Sequence, residues 1–419
     1  MAQFTLDGIT YSRFRDIPGA VYTRSGVEYQ QNAAGVWTPF DDDVPPISSG
    51  VGVDAWEART NSIPNPTFLG TSGSKSGSNA AGILGSVPSR MSIRNDAPGV
   101  TITVVGTGVE FGLPYMDLDF AGTVPLNSTW FRLFWEAASQ ISASNAQTWT
   151  QVFFTRVISG SMSGFASSVA YADLFDGGGY AGTINFASIL SSFVSSATPV
   201  KAGGQTTIGV ATTTGMQPYI TFASTAAVPI AVRIRFYAPN LKLGADINDP
   251  PILQTTNAAA TRGNPSMYIN APGLLVPPFA VVARFKTANA VAASEFRRVF
   301  SINDGTTANL CDVYLNSGQV VRALSLTGGV QQADFGSRTF SPGALAKVAV
   351  RLKTDSIGIS VNGLAVESDN SATLAAQYPR IQFGDNAENL PNRKLNGAIT
   401  RFQIINRDVS DAELVALTA

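Results

Sequence analysis

AKVAVRLKTDSIGISVNGLAVES, residues 346–368, is the stretch whose reading decides the fold. Ile357, Ile359 and Val361 alternate with small or polar residues, and Asn362-Gly363 follows at once. Asn-Gly beside an alternating run signals a hairpin, because a type I′ turn needs positive φ at both central residues. Downstream come YPRIQFGD (378–385) and LNGAITRFQIINRDVSDAEL (395–414). There a second alternating run, Ile399 to Ile405, gives way to Ser410-Asp411-Ala412-Glu413, a capping box that opens a short terminal helix. The stretch reads as a sheet of hairpins closed by a surface helix. In such a scaffold the function is expected in loops or on faces.

The chain's 419 residues exceed one ordinary core. Its 44% hydrophobic and 14% charged content gives ample material for burial. Many glycines with Ser, Thr and Ala, and few long helix formers, predict short strands joined by tight turns. The expected class is all-β: two β-sandwich or jelly-roll domains in tandem after a short N-terminal attachment segment.

Net charge is −1 and the pI about 5.6, so no nucleic-acid partner is expected, Arg297-Arg298 being the one local basic pair. Cys311 stands alone, which excludes an intrachain disulfide, and a buried thiol is expected there. MAQFTLDGITYSRF carries no signal-peptide pattern, and GLLVPPFAVVARF is broken by two prolines, so no membrane insertion is expected. Synthesis in the cytoplasm follows as an expectation. There is no histidine. Ser-His-Asp and Cys-His nucleophiles and histidine metal sites are therefore excluded, leaving carboxylates, Lys, Tyr or an all-oxygen metal site for any chemistry.

Turn-rich boundaries divide the chain into residues 1–50, an attachment segment; 51–250, a β-sandwich; 251–270, a connector; and 271–419, a jelly roll. Asp41-Asp42-Asp43 before Val44-Pro45-Pro46 reads as a solvated turn rather than a calcium cluster. In the second block Val232, Ile234 and Phe236 alternate with Arg233 and Arg235, so one face is buried and the other wet. Gly177-Gly178-Gly179 marks a loop without the strand-to-helix context of a phosphate fingerprint.

Four stretches carry a resemblance. They are Tyr22-Thr23-Arg24 followed by AAGVWTPFDDDVPP, then Trp56-Glu57-Ala58-Arg59-Thr60-Asn61, then LKLGADINDPPILQTTNAAATR (241–262), and finally GISVNG with the 395–414 run. Together they resemble, in order, the head-spike or tail-fibre virion proteins of phages and gene-transfer agents. The resemblance implies a galactose-binding-like middle domain and a concanavalin-A-like (laminin-G-like) C-terminal domain. It also implies exposure on a virion, contact with host surface glycan, and attachment to other virion proteins through the N-terminal segment. A homo-oligomer, for example a trimer, is the expected form. The first fifty residues are short for an elaborate anchoring domain, where the chain departs from the family pattern.

Sugar binding uses an exposed aromatic face with amide or carboxylate hydrogen bonds around it. Trp149, flanked by polar residues in NAQTWTQ, is the first candidate platform against a core role; Tyr180 and Tyr115 follow. Trp130 and Trp135 read as core. Asp117 and Asp119 share one face of a strand and could form a glycosidase pair, against a plain strand edge. The chain lacks the Glu-x-Asp-x-x-Glu run that concanavalin-like hydrolases carry. Asp304, Asp385, Asn386 and Asn389 fall where laminin-G-like domains hold calcium, against ordinary turn chemistry; no other cofactor is implied. Glu57 and Arg59 are expected to pair with each other. The function expected is a non-enzymatic virion protein that adsorbs to host polysaccharide. The alternatives are a purely structural decoration or adaptor and a carboxylate-based depolymerase.

Overall fold

The structure, a computed structural model, describes residues 3–6, 8–12, 14–48, 52–124, 130–225, 227–253, 258–293, 295–388, 390 and 393–419. It is built almost entirely from strands, with one α-helix, Asp411–Thr418, among the described residues. The chain forms two compact units, Met1–Ala34 with Phe40–Ala58 and Arg262–Ala419, and Gly35–Pro39 with Arg59–Thr261.

In the first unit a nine-stranded sheet runs Ile9–Tyr11, Gln3–Leu6, Gly397–Ile405, Phe279–Thr287, Ala346–Lys353, Ser356–Val361, Glu367–Asp369. Gly52–Ala55 joins it antiparallel to Gly397–Ile405, and Ile47–Ser48 pairs with Gly52–Ala55 as its ninth strand. The facing seven-stranded sheet runs Val330–Thr339, Val320–Thr327, Leu310–Asn316, Phe296–Asn303, Arg380–Phe383, Ser266–Asn270, Ala20–Thr23. This corrects the expected boundaries. The first fifty residues are no separate attachment segment, because Phe4 and Leu6 carry a buried stripe that needs a core. Gln3–Leu6 pairs in parallel with Gly397–Ile405, placing Phe4 opposite Phe402. Phe4, Phe14 and Phe383 meet edge-on at 5.7–6.1 Å between centroids. Each such ring contributes about 1.5–3 kcal/mol through burial. The expected 251–270 connector likewise supplies a strand, Ser266–Asn270.

The hairpin signal is realised in part. Asn362 and Gly363 both have positive φ, 50° and 75°, as a type I′ turn requires. The chain then returns through only three residues, Glu367–Asp369. The tightest connection lies upstream, where Lys353 and Ser356 are directly paired across Thr354-Asp355. The capping box forms as expected: the Glu413 N–H donates to Ser410 Oγ and the Ser410 N–H to Glu413 Oε2. Leu414 of the helix, with Val409 just before it, packs onto Ala280, Val282 and Ala349 of the nine-stranded sheet. Cys311 is buried, and burial pushes its thiol far above its ordinary pKa.

In the second unit a six-stranded sheet runs Ile83–Leu84, Val100–Glu110, Leu113–Thr123, Pro229–Leu243, Thr148–Ser161, Val200–Thr207. It faces a sheet running Gly179–Ser188, Phe165–Asp176, Gly215–Ser224, Trp130–Phe134, Ser92–Asn95, Ser74–Ser76. Phe120, Phe131, Phe165 and Phe222 fill the space between them. Val232, Ile234 and Phe236 enter this core as their alternation requires.

Candidate functional site

Trp149, the first sugar-platform candidate, is a core residue. It is only 4% exposed among the residues filling the second unit, and its Nε1 donates to Gln147 Oε1 at 3.2 Å. Its polar sequence neighbours point away because side chains alternate along a strand. Trp135 is core as expected, but Trp130 is 38% exposed at a strand end. One face of the half-buried Tyr115 ring is covered, since the Arg235 guanidinium lies 3.6 Å from its centroid.

Tyr180 remains the solvent-facing candidate, 67% exposed beside the Gly177-Gly178 turn. Both glycines have positive φ, 55° and 106°, closing a hairpin in which Asp176 pairs with Gly179. The Tyr180 hydroxyl donates to Thr183 Oγ1 (2.8 Å), whose own proton goes to Asp173 Oδ1 (2.9 Å). Tyr219 donates to the same Asp173 oxygen at 3.0 Å. Burial, then the Asp173 carboxylate, pushes the Tyr219 hydroxyl well above its usual pKa, so it stays a donor. Asp173 Oδ2 has no partner among the described residues. It is free to accept from a ligand hydroxyl.

Strand register extends the patch. Asn185, Tyr171, Tyr219 and Phe134 are directly paired across four neighbouring strands, on the face opposite the buried Ala170, Ile220 and Leu133. Tyr171 and Phe134 lie 5.7 and 4.9 Å from the Tyr219 ring, and the Arg132 guanidinium 5.4 Å from it. Tyr219 itself is buried, 4% exposed, so the row is a packed aromatic base beside the exposed Tyr180, edged by hydroxyl, amide, carboxylate and guanidinium groups. Sequence reasoning missed Tyr171, Tyr219, Asp173 and Thr183. The signal was present in Ala170-Tyr171-Ala172-Asp173, where polar groups alternate with small core residues.

The two remaining predicted constellations resolve into structure. Asp117 and Asp119 do share a face, but each is gripped bidentately by an arginine of the next strand. Arg235 binds Asp117 at 2.7 Å through both contacts, and Arg233 binds Asp119 at 2.6 and 2.8 Å. Glu110 joins them through Arg235 (2.9 Å) and Arg156 (3.1 Å). Desolvation works against its charge, but hydrogen bonds from Tyr237 and Arg235 hold its carboxyl below the usual range. A catalytic pair would need one carboxyl kept protonated and both free to reach substrate.

The calcium candidates do not converge. Asp304 accepts from the Thr306 N–H and hydroxyl and from Asn309 Nδ2, a closed turn. Asp385 is buried against Lys394, and Asn386 donates to Asp312 at 3.3 Å. Asn303 pairs with Arg380 and Phe300 with Phe383, so Asp304 and Asp385 follow opposite ends of this strand pair. The separation is roughly 15–20 Å at the rise of a strand. Asn389 lies outside the described residues. No group of three or more acidic or thiol ligands suited to a metal occurs among the described residues.

Glu57 faces Arg297 at 3.8 Å within the first unit; Arg59 reaches Asp246 at 2.9 Å and Asp249 at 3.8 Å within the second. Asn61 accepts from the Ile63 and Leu241 N–H groups and donates to the Pro239 and Ile252 carbonyls. The Arg59–Asn61 end of the Trp56–Asn61 stretch is thus fastened to the 241–262 segment.

No family model and no curated protein sequence matches the chain. Among solved structures, it is similar to the CBM40 domain of Ruminococcus gnavus IT-sialidase bound to α2,3-sialyllactose, at 18% identity and TM-score 0.30, over 35% of this chain and 84% of that one. It is also similar to a heptameric SAP-like pentraxin from Limulus polyphemus, at 10% identity and TM-score 0.30, over 34% and 70%. Chicken galectin 2 aligns at 10% identity and TM-score 0.24, over 31% and 95%. Likenesses of this size carry no argument about function.

Proposed function

We propose that the protein is a non-enzymatic surface protein of a virion, a head spike or tail fibre, that holds host polysaccharide through shallow sites. The observation that carries the sugar reading is Tyr180. Its ring is exposed while its hydroxyl is tethered through Thr183 to Asp173, which fixes the ring as a stacking surface at little entropic cost. Asp173 Oδ2 accepts a sugar hydroxyl beside it. The virion assignment rests on the order of the four resembling stretches. Oligomerisation multiplies weak single sites into useful avidity. The arginine forks on Asp117 and Asp119 favour binding over hydrolysis.

Titration of purified protein against host capsule and a panel of glycans tests the reading. Tyr180→Ala should weaken binding about tenfold, the loss of one stacking contact, with the melting profile unchanged. Asp173→Asn should weaken it less. No binding by the intact oligomer at high concentration would leave a structural decoration protein. Release of reducing ends would instead identify a depolymerase.

A further inference from the structure

On the outward sheet faces, arginines oppose carboxylates: Arg233 with Asp119, Arg235 with Asp117, Arg322 with Asp334. One row breaks this pattern. In the nine-stranded sheet of the first unit, Arg401, Arg284 and Lys347 are directly paired across Gly397–Ile405, Phe279–Thr287 and Ala346–Lys353. Arg284 lies on the outward face, since Ala283 and Phe285 on either side enter the core. Lys286, two residues on, is exposed on that face.

Like charges directly opposite one another across strands are destabilising. Among the described residues no carboxylate pairs with Arg284, Arg401 or Lys286. The Arg284 Nε is buried without a hydrogen-bond partner, and Arg401 has only the Gln403 amide at 3.4 Å. Lys347 donates to the Ala419 backbone oxygen, so the terminal helix ends beside the row. The adjoining row is uncharged and polar: Thr10, Thr5 and Gln403 are directly paired, with the two threonine hydroxyls 3.1 Å apart.

We infer that this face binds an anionic polysaccharide, a glycan whose repeat carries carboxylate or phosphate groups. Arg401 and Arg284 meet its charges, while Thr5, Thr10 and Gln403 meet its hydroxyls. The inference rests on the glycan-binding reading and adds a second site, of different chemistry, to the Tyr180 patch. Cations recur across the row about every 5 Å, the strand spacing, close to the length of one pyranose. Neither row contains an aromatic ring on which a base could stack, and the chain's net charge of −1 offers no broad attraction to nucleic acid. These points favour a glycan over a nucleic acid.

The test uses the full chain with three probes, alginate oligosaccharides, neutral dextran oligosaccharides of equal length and duplex DNA, measured calorimetrically. Alginate should bind more tightly than dextran. That binding should weaken several-fold between about 0.05 and about 0.5 M sodium chloride as screening shortens. Arg401→Gln, at an exposed position, should weaken it about tenfold, as loss of a charge-assisted hydrogen bond does. Arg284→Gln should do the same. Equal affinity for alginate and dextran, or indifference to Arg401→Gln, overturns the anionic site while leaving glycan binding at Tyr180 standing. DNA binding that depends on Arg401, without alginate binding, overturns the choice of ligand. Absence of any glycan binding overturns both readings.

Discussion

Asp54 stands on the strand Gly52–Ala55, opposite Ala398, between two residues that enter the first unit's core, Val53 and Ala55. Burial, then the nearby Glu28 carboxylate, raises its pKa to about 8. An unfolded aspartate releases its proton near pH 4. Between these values the folded chain binds the proton that the unfolded chain has lost, so stability falls as pH rises through the window. The melting temperature of the wild type should drop between about pH 5 and pH 8 by several degrees more than that of Asp54→Asn. Parallel pH profiles for the two proteins would show that Asp54 is ionised when folded. Nothing in the local sequence VGVDA announces this residue, because its burial and its acidic neighbour both arise from distant chain.

The ladder of carboxylates and arginines on the six-stranded sheet separates what a strand shows in sequence from what it hides. Alternation correctly puts Asp117 and Asp119 on one face, and Arg233 and Arg235 on one face. The register that sets one pair against the other joins positions more than a hundred residues apart, and no local pattern encodes it. The two pairs also differ in burial. The Asp117–Arg235 side chains are 7% and 15% exposed, the Asp119–Arg233 side chains 34% and 36%. Asp117→Asn removes one of the two carboxylates that hold the Arg235 guanidinium, leaving Glu110, and should cost about 1.5–3 kcal/mol in denaturant unfolding. Asp119→Asn, at a screened pair, should cost below about 1 kcal/mol. Equal costs would mean that solvent reaches both pairs alike. The same limit explains the Tyr180 patch: a tyrosine after three glycines is visible as an exposed turn residue, but Tyr171 and Tyr219 become its neighbours only through strand pairing.

At the scale of the whole molecule, the second unit is almost one continuous stretch, while the first is assembled from three. Residues 59–261, expressed alone, should fold and melt cooperatively. They lose only the Gly35–Pro39 piece, in which the Trp37 ring packs on Phe154. Residues 262–419 alone should not, since they lack Phe4, Phe14 and Val53 from their core. Deleting even one such phenylalanine costs about 3–5 kcal/mol, a large part of a domain's net stability. A sharp thermal transition from the 262–419 fragment would contradict this. Turn signals and alternation made the all-β class legible. They could not show that the opening strand belongs with the last one, because that pairing has no marker at either end.

The parallel pairing of Gln3–Leu6 with Gly397–Ile405 sets a timetable for the chain as it leaves the ribosome. At about 5–20 residues per second, the opening strand waits roughly 20–80 s for its partner to be synthesised. The stretch 59–261 emerges complete in the meantime and can fold first. Phe4 and Leu6 spend that interval unburied, on a segment able to pair with neighbouring nascent chains. The yield of native protein should therefore depend on translation speed and chaperone supply more steeply than the finished fold's stability would suggest.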